Sequence, residues 1–224
     1  MCFYFRQTKE ALEVAKRFKI NLLDEDLVVK SSLINGFTHP ECSVITDSEP
    51  DRINNFEWGL VPLNSDRSIQ KYTLNARVET VHEKRSFKAL LNSRCLVIAD
   101  GFYEWKESVT KSRVTKERYL ISLPDSSLFA FAGLYSCWKS ISDDKQISSF
   151  TILTTQANEA VSSVHKRNRM PVILHEGDEL DWLDGKNYRE FAFPYSRELT
   201  ISADPVAVQS NSKRARHDSD RTLF

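Results

Sequence analysis

Cys2 stands directly after the initiator methionine, where a thiol gains something no internal cysteine has. Once Met1 is removed, one residue carries a free amine and a thiol on neighbouring carbons, and that pair acts on carbonyl compounds in ways a lone thiol cannot. The freed α-amine has a pKa of about 7.7–8.0, so part of it is unprotonated at neutral pH. A chance cysteine at a frayed terminus is the alternative. Glu104 sits in Gly101-Phe102-Tyr103-Glu104-Trp105. A carboxylate desolvated among those rings takes a raised pKa suited to proton transfer, whereas on the outward face of an alternating strand it is simply hydrated. His165 opens the basic run His-Lys-Arg-Asn-Arg. It reads either as a proton shuttle or as a solvated histidine at a helix C-terminus.

Three further groups carry chemistry. Asn75 and Arg77 are two residues apart, so on a strand they share a face. The amide can orient a carbonyl or hydroxyl and the guanidinium can grip a phosphate or carboxylate; a solvated sheet edge is the other reading. Trp58 precedes a glycine and a nearby proline in Phe-Glu-Trp-Gly-Leu-Val-Pro. On an exposed turn it can stack on a base or wedge between bases, and in a core it packs. Lys84, Arg85, Lys166, Arg167 and Arg169 make a basic groove if they converge and a solvated face if they do not.

These residues need a scaffold, and the chain has the means to build one. Its 224 residues suit one large domain or two small ones, and 11% aromatic content with ordinary hydrophobicity marks it as globular. Formal net charge is zero, so total charge points to neither nucleic acid nor membrane, and only a local patch can supply attraction. No apolar run approaches the ~20 residues of a membrane span, and no basic start followed by an apolar stretch marks a signal peptide. The four cysteines, Cys2, Cys42, Cys95 and Cys137, form no paired motif, which argues against a zinc site or a disulfide framework and for a reducing cytoplasm.

Phe3 to Phe5 read as a first strand with Cys2 at its exposed beginning. Thr8 is placed to cap a helix reaching Phe18, with Leu12, Ala15 and Phe18 on one face. Extended segments follow at Val44–Thr46 and Phe56–Leu60, and Ser86 is placed to cap a short helix carrying Phe87, Leu90 and Leu91. Residues 95–100 form a buried strand, with Asp100-Gly101 as a turn signal. The next strand runs through Trp105, a charged solvated connection leads into Tyr119–Leu123, and two apolar strands follow. A helix ends near His165, then come an extended segment from Met170 and a short helix at 178–183. Many short strands with a few flanking helices predict one α+β domain built on mainly antiparallel sheet. It covers residues 1–208, and 209–224 read as a polar, mobile tail.

Taken in order, Cys2, Trp58-Gly-Leu-Val-Pro62, Asn75-Ala-Arg77, Gly101-Phe-Tyr-Glu-Trp105, and His165 ahead of Arg169-Met170-Pro171 resemble the SOS response-associated peptidase family. The resemblance implies a single α+β fold with a cleft for single-stranded DNA. It also implies removal of Met1, autocatalytic or by an aminopeptidase, and capture of abasic sites as a covalent DNA–protein crosslink. It assigns Cys2 as nucleophile, Asn75, Glu104 and His165 as catalytic partners, and Arg77, Trp58, Pro40, Trp105, Arg167 and Arg169 to DNA binding. No metal or organic cofactor is implied. The family usually begins Met-Cys-Gly-Arg, where this chain has Phe3 and Tyr4, and its His-x-Arg-Met-Pro is two residues longer here. An N-terminal-nucleophile amidohydrolase such as a glutaminase, and a non-catalytic module for single-stranded DNA, are the competing functions.

Overall fold

The structure is a computed structural model that describes residues 2–21, 27–109, 113–139, 146–164 and 167–212. His165 and Lys166 lie outside the described residues. In chain order the strands and helices are β1 (Tyr4–Gln7), α1 (Ala11–Phe18), β2 (Ser31–Asn35), β3 (Glu41–Thr46), β4 (Asn54–Trp58), β5 (Asn75–Arg77), β6 (Arg94–Ala99), β7 (Gly101–Val109), β8 (Arg113–Ser122), β9 (Phe129–Lys139), β10 (Gln146–Gln156), α2 (Glu159–Val164), β11 (Arg169–Pro171), α3 (Glu179–Leu183) and β12 (Thr200–Ser212). Short 3₁₀ turns fill several connections.

Two sheets divide the strands. One has five strands in the order β12-β8-β7-β1-β2. The other has seven; β10-β4-β3-β6-β9 closes on itself through a β10–β9 pairing, and β5 and β11 also pair with β10. This second sheet is therefore barrel-like. Among the described residues only the β10–β4 and β10–β5 pairings are parallel, so the α+β, mainly antiparallel architecture expected from the sequence is the one observed. Among the described residues no helix is long and apolar enough to cross a membrane.

Alternation along the strands splits the interior into two apolar clusters. Phe5, Ile34, Phe102 and Ile121 of the five-stranded sheet meet Cys42, Val44, Phe56, Trp58, Val97, Phe131 and Phe150 of the barrel-like sheet. On the opposite side, Ile45, Leu96, Ile98, Ala130 and Leu134 pack against Ala11, Val14 and Ala15 of α1 and Trp182 and Leu183 of α3. The helix therefore buries Ala11, Val14 and Ala15, and Leu12 points outward at 67% exposure. Of the expected face, Ala15 and Phe18 pack against the core and Leu12 alone is corrected.

The start of α1 differs as well. Thr8 does not cap it; Glu10 occupies that position without a side-chain cap. Instead the Thr8 backbone N–H donates to Asp100 Oδ1 at 3.1 Å and its hydroxyl to Oδ2 at 2.6 Å, while Arg6 Nε lies 3.4 Å from Asp100. A buried carboxylate needs such donors and outcompetes the helix terminus for Thr8. Asp100-Gly101 is also more than a turn: β6 ends at Ala99 in one sheet and β7 begins at Gly101 in the other, so the chain changes sheets there. Ser86 makes no cap, since the short 3₁₀ helix Lys88–Leu90 begins at Phe87 without one. The charged stretch after Trp105 belongs largely to β7 and β8, which pair from Phe102↔Ile121 to Val109↔Val114. Strand β12 reaches Ser212, into the segment read as a tail, and 213–224 lie outside the described residues.

Asp100→Ala leaves two Thr8 donors and the Arg6 guanidinium without their acceptor. It should lower stability by about 2–3 kcal/mol in urea denaturation, and a loss below ~0.5 kcal/mol would show that Asp100 does not hold β1 to the sheet crossing.

Candidate functional site

Strand β1 lies between β2 and β7, with Phe5 opposite both Ile34 and Phe102. Because the Phe5 ring is fully buried against Trp58 and Phe131, the start of the chain is drawn between the two sheets. Cys2 is consequently buried at 0% exposure, which corrects the exposed beginning expected for it. Its Sγ donates to the Tyr4 carbonyl at 3.5 Å. Its own carbonyl accepts from Asn75 Nδ2 at 2.7 Å.

Asn75 reaches Cys2 because β5 alternates as the sequence suggests: Ala76 enters the core, while Asn75 and Arg77 turn to the other side. The strand is fixed by parallel pairing of Ile152↔Asn75 through Thr154↔Arg77. Asn75 is half-buried and Arg77 exposed.

Glu104 takes the inward of the two readings the sequence left open. On β7 it shares a face with Phe102, and only 3% of it is exposed. Burial drives its carboxyl from an ordinary 4.5 up to about 7, with the positive charges of the amino terminus and Arg167 pulling the other way. The same desolvation pushes the Cys2 thiol far above its usual value, and the Glu104 charge adds to that push. An acid poised near neutrality thus stands beside a thiol that stays protonated until a base takes its proton.

A cleft of about 400 Å³ opens at this point, lined by Phe3, Tyr4, Phe37, Glu104, Trp105, Glu107, Lys116 and Arg167. A separate cavity of about 490 Å³ lies among Arg17, Phe129, Tyr195 and Arg197, and none of the sequence-derived site residues lines it. Arg167 is exposed on the Cys2 cleft, whereas Arg169 on β11 is held by Glu79, with Nη2 at 3.0 Å from Oε2, and by the Thr154 carbonyl. The two arginines are thereby distinguished: Arg167 is exposed on the cleft lining, and Arg169 is engaged by Glu79 and Thr154.

Trp58 takes the core role. It has no exposed surface, its indole N–H donates to the Leu74 carbonyl at 2.8 Å, and its ring lies against Phe5 and Phe150. In this structure it offers no face for base stacking, which corrects its placement along a DNA cleft. Gly36 abuts the same ring so closely that a Cβ there would fall 2.9 Å from it. Gly59, at φ +118°, turns the chain directly after Trp58, a conformation glycine tolerates and side chains resist. Pro40 is half-buried, and its carbonyl accepts from the Trp58 N–H at 2.9 Å. Trp105 is half-buried on the cleft, 4.7 Å from the Tyr4 ring. The aromatic residue that sequence reasoning missed is Phe37, 53% exposed; an isolated phenylalanine between Gly36 and Thr38 carries no periodic signal.

A second-position cysteine buried between two sheets, with an amide on its carbonyl and a near-neutral carboxyl beside it, defines a thiol-centred site at the chain's own start. The family model described as SOS response associated peptidase (SRAP) matches residues 1–211, and the chain belongs to that family. It is 36% identical over 198 residues to the abasic site processing protein YoqW of Bacillus subtilis (strain 168), spanning 84% of this chain and 82% of that one. It is 33% identical over 202 residues to the abasic site processing protein HMCES of Gallus gallus, spanning 75% of this chain and 56% of that protein. A solved structure from Bacteroides thetaiotaomicron superposes with a TM-score of 0.82 at 28% identity, over 90% of this chain and 91% of that chain.

The raised carboxyl has a consequence for stability. Folded Glu104 holds its proton up to about pH 7, while the unfolded chain releases it near 4.5. The ionisation-linked cost of burial is therefore absent below that window, grows by at most roughly 1.4 kcal/mol per pH unit within it and is complete above it. Glu104→Gln should stabilise the protein progressively more from pH 4.5 to pH 7 in thermal melts. A Glu104→Gln effect that does not vary with pH would contradict a buried, protonated carboxyl.

Proposed function

We propose that this protein captures abasic sites in single-stranded DNA as a covalent thiazolidine adduct on Cys2, after removal of Met1. The observation that carries the reading is the burial of both Cys2 and Glu104, with the Asn75 amide on the Cys2 carbonyl and Glu104 lining the adjoining cleft. That arrangement occurs in a chain whose relatives are named abasic site processing proteins.

A ring-opened abasic deoxyribose presents an aldehyde. The Cys2 amine adds to it, water leaves, and an imine forms. The thiol then adds to the same carbon: a C–S bond forms, the thiol proton ends on the former imine nitrogen, and a five-membered ring closes. One water is released overall, and no electrons are exchanged with an outside partner. Because amine and sulfur sit on adjacent carbons, the second step is intramolecular, which gives it a high effective molarity. An imine alone hydrolyses readily, and ring closure protects it.

Glu104, with its carboxyl at about 7, is suited both to accept a proton from the amine or thiol and to return one to the departing hydroxyl. Asn75 fixes the Cys2 carbonyl and so aims the amine. His165 has the role the family resemblance gives it, protonating the sugar hydroxyl or the leaving water. Arg77 and Arg167, both exposed, contact backbone phosphates. Single strands are preferred because a stacked duplex would keep the sugar from a buried terminus. Release of Met1 by the protein's own Cys2 is the peptidase activity of this reading. A reducing cytoplasm would keep the thiol competent, in line with four unpaired cysteines.

Cys2→Ala, with Met1 removed beforehand by a methionine aminopeptidase, keeps an amine on residue 2 and loses the thiol. On denaturing gels it should form an adduct with abasic single-stranded DNA only when borohydride traps the imine. Glu104→Gln should slow crosslinking by ~10²-fold or more at nearly unchanged DNA affinity. A stable, unreduced crosslink formed by Cys2→Ala at the wild-type rate would overturn the reading.

A further inference from the structure

We propose that the second cavity, of about 490 Å³, binds a free amino acid with an apolar side chain, held as its zwitterion. The site is independent of the capture reaction, because its lining and that of the Cys2 cleft share no residue.

The turn between β8 and β9 forms one wall. There the Ser126 N–H donates to the Leu123 carbonyl at 2.9 Å, with Ser126 in the left-handed region at φ 55°, and the Ser127 N–H donates to Asp125 Oδ1 at 3.0 Å. Residues other than glycine seldom hold that conformation unless their surroundings fix it. Leu128, Phe129 and Leu174 are buried and supply an apolar floor. Arg17 of α1 reaches the lining, but its fork is taken by Glu179, with Nη2 2.8 Å from Oε1 and Nη1 2.9 Å from Oε2. Two other groups are left to receive a ligand. Tyr195 is only 6% exposed and its ring lies on His175, 4.6 Å between centroids. Its hydroxyl has no hydrogen-bond partner among the described residues, although buried hydroxyls usually find one. Burial raises its pKa, Arg197 and Arg17 pull it down and Asp125 pushes it up. All three of those charges line this cavity, so the hydroxyl faces it. The second group is Arg197, exposed and without an ion pair or hydrogen bond to any described residue.

The chemistry of the lining selects the occupant. Asp125, Glu176 and Glu198 line the same cavity as Arg197, so both signs of charge face it. An anion alone would meet three carboxylates, and a cation alone would meet Arg197. An uncharged apolar molecule would cover these groups without pairing them, which is costly. A zwitterion matches both signs. Its carboxylate accepts from the Arg197 guanidinium and the Tyr195 hydroxyl, and its ammonium donates to the acidic rim. Its side chain then lies on Leu128, Phe129 and Leu174. The volume falls within the roughly 300–1,000 Å³ of small-molecule sites, ample for an amino acid.

The test titrates the full chain with leucine and follows backbone amide shifts by NMR. N-acetyl-leucine, which lacks the ammonium, leucinamide, which lacks the carboxylate, and glycine, which lacks the side chain, serve as comparisons. Leucine should give saturable shifts in residues 123–129 and 195–198 and none around Cys2, and each comparison compound should bind at least about tenfold more weakly. Arg197→Ala, at an exposed position, and Tyr195→Phe, which keeps the ring on His175, should each weaken leucine by about tenfold while leaving the thermal melt of the free protein nearly unchanged. Absence of saturable shifts at millimolar leucine overturns the site. So does equal binding of leucine and leucinamide or N-acetyl-leucine, or leucine affinity unchanged in both variants.

Discussion

The hydrogen bond from Asn75 to the Cys2 carbonyl ties the barrel-like sheet to the start of the five-stranded one. Asn75 belongs to the barrel-like sheet, and Cys2 leads into β1 of the five-stranded one. Chain starts usually fray. This one is held by β1 pairing on both edges, by Phe5 in the inter-sheet core, and by Asp100 gathering Thr8 and Arg6 where the chain crosses from β6 to β7. A terminal residue thereby gains the fixed position that a reacting group needs.

That placement sets the electrostatics. Burial raises Glu104 to about 7 and pushes the thiol further up, with the Glu104 charge adding to the push on the thiol. The fold therefore keeps both groups protonated in part or in full at neutral pH, at a cost in stability that grows as pH rises through the carboxyl's window. Groups poised in this way are suited to proton transfer near neutral pH. Net charge of zero leaves any attraction for a polyanion to local cations, and Arg167 is one such cation on the lining of the cleft.

Much of the scaffold was legible because its signals are local. The unbroken apolar run of β6 reads as a buried strand, and every residue of Arg94–Ala99 is buried. The shared face of Asn75 and Arg77 follows from alternation alone. What the sequence hid depends on distant partners. Thr8 is a sound cap by type, yet Asp100, far along the chain, claims it. Cys2 reads as exposed because nothing local announces the sheet that covers it. Arg167 and Arg169 look alike in the sequence and part only because Glu79 meets one of them. Trp58 reads equally as platform or core until Phe5 and Phe150 are placed around it. Phe37 lies in a turn whose value comes from facing Phe3 and Tyr4.

The central claim is that one residue supplies both nucleophiles. Intact-mass spectrometry of the unreduced product formed with an abasic single strand, followed by peptide mapping, tests it most directly. The account predicts one oligonucleotide per chain, loss of Met1, a combined mass lower by one water, and the modification on Cys2. An adduct that retains Met1, or one mapped to a lysine, would contradict it.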